Sequence, residues 1–192
     1  MSRILIAVFA LCLAGPALAE RPSYNYVQFA YESVDLDVGG GSDVDGDGYG
    51  LGGSFEINEE FFVVAGYSKA DFDFDVDFTT LQAGFGWRTD LTDETDFFST
   101  LSYVNGEVDA PGFGSFDDSG FGISIGLRHN LNEDVELFGA INHVDFGDGG
   151  DSTGISGGFW YNFNESVSAG LGLSSDDDIT SWGAAVRFYF DR

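Results

Sequence analysis

Three groups of side chains in this sequence have the types and spacing to do chemistry. The first is the histidines. His129 and His143 are the only two in the chain, and imidazole is the one side chain whose ordinary pKa lies near neutrality. His143 and Asp145 would share a face of an extended segment, which makes them the best candidate base dyad. A hydrolase also needs a nucleophile or an activated water beside that base. No serine sits at the spacing that lipid A deacylases show, so His143 reads as a rim residue and the chain as no enzyme. The second group is Asp43-Val44-Asp45-Gly46-Asp47-Gly48. Carboxylates at alternate positions followed by glycine form the first half of a calcium loop. The distal glutamate is missing, since Ser54 stands where it would fall. Asp43, Asp45 and Asp47 could hold Ca2+ or another divalent cation, and a solvated acidic loop is the plainer reading. No other cofactor is indicated.

The third group is Arg88, Arg128 and Arg187 with Glu56 and Glu136. Placed on one face at similar depth, these could form an interior charge network. A planar guanidinium can meet a carboxylate through two parallel hydrogen bonds. The alternative is that each charge is solvated in an open lumen.

Both readings of that third group require strands that turn one face inward. The pattern supplies them. From Tyr26 to Phe190 apolar residues recur with period 2, as in Phe121, Ile123, Ile125 and Leu127 against Gly122, Ser124, Gly126 and Arg128. The count is ten strands, with eight as the alternative if the glycine-rich stretches near Gly50 or Gly157 are irregular. Short turns near residues 58, 92, 131 and 164 alternate with longer acidic loops, over Asp35–Asp47, Asp71–Asp77, Asn105–Asp118, Gly147–Ser152 and Asp176–Asp178.

The bulky face of each strand collects Phe, Tyr, Trp, Leu, Ile and Val, and the other face Gly, Ser, Thr, Gln, Asn and Arg. A soluble barrel would put the bulky set inside and overfill itself. With the bulky set outside, lipid covers it and closure leaves no unpaired backbone edge. The expected fold is therefore all-β: a transmembrane antiparallel up-and-down β-barrel, with short turns in the periplasm and long loops outside. Trp182, Val186, Phe188 and Phe190 give the last strand an apolar face close to the C-terminus. That is what a closing strand presents to lipid and to the barrel-assembly machinery.

Residues 1–19 read as a signal peptide: Arg3, an apolar run from Ile4 to Gly15, then Ala17-Leu18-Ala19 as a cleavage site. Residues 20–192 are then the barrel domain, exported through the periplasm to the bacterial outer membrane. Cleavage removes Cys12, the single cysteine, so no disulfide framework is expected. It also removes Arg3 and leaves the mature chain one unit more negative than the full-length net charge of −26. Phosphate would be repelled, which excludes nucleic acid as a default partner. The chain's 20 Phe, 8 Tyr and 3 Trp, with apolar residues alternating at period 2, exclude the disorder that such charge otherwise suggests.

Ser23-Tyr24-Asn25-Tyr26-Val27, Asp45-Gly46-Asp47-Gly48-Tyr49-Gly50, Val64-Ala65-Gly66-Tyr67-Ser68 and Gly84-Phe85-Gly86-Trp87-Arg88 resemble blocks of a family of small proteobacterial outer-membrane barrels. One member of that family, from plant-pathogenic xanthomonads, was once proposed as the activator of a rice immune receptor. The resemblance covers most of the mature chain. It implies an OmpA/OmpX-like, porin-type barrel in the outer membrane without an enzymatic role. Here Asp191-Arg192 follow Phe190, whereas the family ends on its aromatic.

Two functions are expected from this. One is a monomeric structural or surface-interaction protein. Its lumen would be largely filled by Trp160, Phe98, Phe138 and Tyr189, and its acidic loops would bridge to lipopolysaccharide through cations. Lys69, near the outer rim, would contact lipid phosphate. The other is a narrow porin whose acidic mouth favours cations.

Overall fold

The computed structural model describes residues 21–37, 43–112, 114–177 and 179–190. The expected signal segment and cleavage site lie outside the described residues, as does Asp178. Ten antiparallel strands follow one another: β1 (Tyr26–Asp37), β2 (Asp43–Glu56), β3 (Phe61–Phe72), β4 (Val76–Thr92), β5 (Thr95–Ala110), β6 (Gly114–Asn130), β7 (Val135–Asp145), β8 (Asp151–Asn164), β9 (Val167–Ser175) and β10 (Ile179–Tyr189). Each pairs with the next in sequence, and β1 pairs with β10, so the sheet closes into a barrel. The eight-strand alternative fails because Gly50 and Gly157 lie inside regular, fully paired β2 and β8.

The register fixes the tilt. Stepping round the ring through paired residues, Asp96 leads to Arg128, Phe138, Gly158, Gly172, Gly183, Glu32, Gly48, Ala70, Phe78 and then Val108. The path returns to β5 twelve residues from its start. A stagger of that size means strands inclined to the barrel axis, typically by about 35–45°.

One end of the barrel, here the base, carries the short connections, and an asparagine or threonine side chain shapes each. Asn58 Oδ1 accepts from the backbone N–H of Glu60 and Phe61, both at 2.9 Å. Asn132 Oδ1 does the same for Asp134 and Val135. Asn164 Oδ1 accepts from Ser166, and Thr92 Oγ1 from Glu94. These side chains replace the backbone acceptors that a two- to four-residue reversal cannot reach. The second turn is one residue later than the sequence pattern suggests, at Asp93-Glu94.

At the other end, the mouth, the connections at Asp73–Asp75, Gly147–Gly149 and residues 176–177 fall where the sequence suggested loops, but two of the acidic stretches are largely strand. Asp43, Asp45 and Asp47 lie in β2, paired with Asp37, Asp35 and Ser33 of β1. Strands β4 and β6 run for 17 residues each, so most of Asn105–Asp118 is a paired hairpin. Strand lengths range from 9 to 17 residues, the longest well beyond the ~9–11 that a tilted strand needs to cross a bilayer. Period 2 continues through the acidic runs, and the ladder hydrogen bonds outweigh the low strand propensity of Asp and Gly.

The two faces are sorted as composition requires. Phe85, Phe121, Leu173 and Trp182 on the outside are each more than 60% exposed. A continuous apolar belt of this kind needs a lipid surround. The closing strand turns Trp182, Val186, Phe188 and Phe190 outward, and the Phe190 N–H bonds to Asn25 O at 3.0 Å, which ties the end of the closing strand to the start of β1 at the base.

Candidate functional site

Inside the base the lumen is occupied by charge and aromatic rings. Arg128 of β6 grips Glu136 of β7 with a two-point fork, Nε and Nη2 donating to the two carboxylate oxygens at 2.8 Å each. Arg88 of β4 meets Glu56 of β2 at 2.9 Å and Asp96 of β5 at 3.1 Å. Arg187 of β10 donates to Gln28 Oε1 at 2.9 and 3.2 Å, and lies 3.7 Å from Glu136. Its guanidinium is stacked on Tyr26 and Trp160, 3.9 and 3.8 Å from the ring centres. Asp96 and Glu136 are wholly buried, and the three arginines nearly so. Three guanidiniums thus face three carboxylates.

The five residues before β1 complete this layer. Arg128 Nη1 donates to Ser23 O at 2.8 Å and Arg88 Nη1 to Pro22 O at 3.2 Å. Tyr24 lies between these two arginines, with guanidinium carbons 4.4 and 4.7 Å from its ring centre, and packs on Phe62 at 4.5 Å. Stacking of this kind in a desolvated site is worth about 2 kcal/mol or more. Burial pushes the Tyr24 phenol well above its ordinary pKa, so the ring stays neutral. Glu56 accepts from the backbone N–H of Tyr24 and the side chain of Asn25. At the rim, Arg21 pairs with Asp90 at 3.1 Å and donates to Glu59 O. The Phe62 ring lies directly over Gly86, where a side chain would collide with it.

Glu56, Arg88, Arg128, Glu136 and Arg187 are therefore brought together in one layer. Asp96, Gln28 and the segment Pro22–Asn25 belong to it too, and pattern reasoning missed them. Trp160 and Tyr189 face inward and are buried, and Phe98 and Phe138 are half-buried. Phe138 and Trp160 pack at 6.4 Å.

The other candidates are not assembled. His143 Nδ1 bonds to Thr153 Oγ1 at 2.8 Å, and Asp145 Oδ1 accepts from the Gly147 N–H, so no His143–Asp145 dyad forms. His129 bonds to Thr95. Asp45 and Asp47 are exposed on an extended strand that cannot wrap a cation, and the Asp43 side chain is outside the described residues. Among the described residues no group of three or more His, Cys, Asp or Glu is arranged to hold a metal ion. Lys69, expected at lipid phosphate, is held by Asp71 and Asp77 at 2.9 Å each.

The mouth contrasts with the base. On its outer face Asp35 stands opposite Asp45, Asp47 opposite Asp71, Asp71 opposite Asp77, and Asp77 opposite Asp109. Like charges directly opposite destabilise a strand pair, and among the described residues Lys69 is the one cation set among them.

A family model described as outer membrane protein beta-barrel domain matches residues 4–173. No curated protein sequence matches the chain. Among solved structures, an outer membrane channel from Pseudomonas putida F1 is 8% identical over 92% of this chain and 100% of that chain, with a TM-score of 0.60. Neisserial surface protein A is 15% identical over 88% of this chain and 98% of that chain, at 0.46. A KdgM porin is 10% identical over 86% and 99%, also at 0.46. At these identities the first likeness shows a shared fold.

Proposed function

Because the chain belongs to the outer membrane protein beta-barrel domain family, we propose that it is a closed barrel with a structural and surface-interaction role. In this reading residues 1–19 direct export, the base faces the periplasm, and the acidic strand ends stand outside the cell. The assembly machinery reads Trp182, Val186, Phe188 and Phe190 on the closing strand. The inserted barrel is a monomer with lipid and lipopolysaccharide as its partners. Divalent cations bridge the carboxylates at the mouth to lipid phosphates. No catalysis is assigned, which the separate bonding of His143 and Asp145 supports.

The observation that carries the reading is the layer at the base. Arg88, Asp96, Arg128, Glu136, Arg187 and the inserted Tyr24 are all buried inside the base, which supports a closed path. The test is the conductance of refolded residues 20–192 in a planar bilayer, with folding checked by heat-modifiable gel mobility. A silent membrane is expected; steady current steps from folded protein would overturn the reading.

A narrow cation-preferring porin is the second reading, and one observation favours it. Gln82 is turned into the lumen by parity yet is exposed, so the middle of the barrel is open. In that case the steps would be cation-selective, and the Arg88–Glu136 layer would form the constriction.

A further inference from the structure

Above the base layer the lumen wall is built from Gly, Ser, Ala, Thr, Gln and Asn. Among the described residues, one ionisable side chain faces this middle stretch: Glu32 of β1. Its paired neighbours are Gly48 on β2 and Gly183 on β10. A methyl group on Gly48 would lie 3.1 Å from Glu32 Cγ and 3.2 Å from its Oε1, and one on Gly183 would lie 3.0 Å from its Cβ. The two glycines thus make room for a carboxylate lying along the wall. The Glu32 side chain has no ion pair or hydrogen bond among the described residues. The stagger of twelve residues over ten strands amounts to about four residues over three strands. The β4 position level with Glu32 is therefore Gln82, the exposed inward side chain.

The chamber is bounded at both ends. Below, three guanidiniums and three carboxylates cancel, so the base layer leaves Glu32 uncompensated. Above, apolar side chains enter the inward face beside one acid, Asp118, the strand partner of Gly106. Val34, two residues further up β1, is buried; Val104, the strand partner of Gln82 and so level with Glu32, is buried too and with Val144 flanks Gly122. Phe78 and Phe146 both reach Gly106, within 3.6 and 3.7 Å of a methyl group placed there. A half-buried carboxylate above a neutral floor, with Val34 and Val104 near its level and no counter-charge among the described residues, favours a positive partner.

We propose that the middle of the lumen is a binding chamber for a small organic cation of the primary-amine class, held by the Glu32 carboxylate. The hydroxyl and amide oxygens of the wall, including Gln82, supply acceptors for the remaining N–H groups. The inference goes beyond the closed-barrel reading, because a blind chamber fills from the mouth whether or not the base conducts.

Residues 20–192 hold no cysteine, which allows a direct test. A Gln82→Cys variant is refolded and treated with aminoethyl or sulfonatoethyl methanethiosulfonate, the first being a primary ammonium ion and the second an anion. Rates are expressed relative to those with a free thiol. The cationic reagent should react about tenfold faster, as charge focusing in a narrow site predicts. Adding Glu32→Gln should abolish most of that preference, while the preference at Ser119→Cys on the outside should not change. Equal preference with and without Glu32 would overturn the proposal, and so would a folded Gln82→Cys barrel that neither reagent modifies. Ser156→Cys, on the same stretch of wall, serves if Gln82→Cys does not fold.

Discussion

The base and the mouth of this barrel handle the same charged groups in opposite ways. At the base, Asp96 and Glu136 are buried without access to water, and each is met by a guanidinium at 3.1 Å or less. At the mouth, Asp47, Asp71 and Asp77 are ranged across three strands in water, with Lys69 as their one counter-charge. Burial decides the difference. A carboxylate out of water must be paired and hydrogen-bonded, whereas one in water is hydrated and screened, and can tolerate a like neighbour. The base is therefore where geometry is specified, and the mouth is where charge is displayed.

The contrast can be broken most forcefully at Arg128. Arg128→Ala strands buried Glu136 and should lower the stability of the refolded barrel by about 3–5 kcal/mol in urea titration; a variant as resistant as the parent would remove the distinction. Tyr24→Ala takes out the ring between Arg88 and Arg128 and should cost about 3 kcal/mol. Tyr24→Phe sharpens that result. The Tyr24 hydroxyl is buried without a hydrogen-bond partner among the described residues, so removing it should change stability by less than about 0.5 kcal/mol, or improve it. Gly86→Ala forces a methyl group against the Phe62 ring and should cost about 1–3 kcal/mol by overpacking. At the mouth, Asp71→Asn should leave unfolding almost unchanged in low salt, with any small gain vanishing as salt is added. A large effect there would mean that the outer carboxylates are structural after all.

The fold was legible because each face of each strand has a composition of its own. Period 2 recurs strand after strand from Tyr26 to Phe190, and parity alone put Arg88, Arg128 and Arg187 on the inner face with Glu56 and Glu136. Asp96 was not legible. It sits one residue into β5, beside Asp93 and Glu94, and an acid next to a turn is ordinarily solvated. Nor was the plug of Pro22–Asn25. It contributes the carbonyls of Pro22 and Ser23, which every residue carries, so only the fold reveals them as arginine acceptors. The acidic runs misled for a different reason. Their Asp and Gly residues suggest loops, yet Asp45 and Asp47 keep the parity of Tyr49 and Leu51, and that continuity was the usable signal. Glu32 carried a signal of position only: a charge on the inner parity with glycine on both neighbouring strands is visible once the register is known.

A pair of double-mutant cycles tests the contrast most directly. One measures the coupling of Arg128 with Glu136 and the other the coupling of Lys69 with Asp77, by urea unfolding of the same refolded barrel. The account predicts a coupling of about 2–3 kcal/mol at the base, unmoved by salt, and none resolvable at the mouth in high salt. Couplings of similar size and similar salt dependence would contradict it, because the two ends would then be held by the same kind of ion pair.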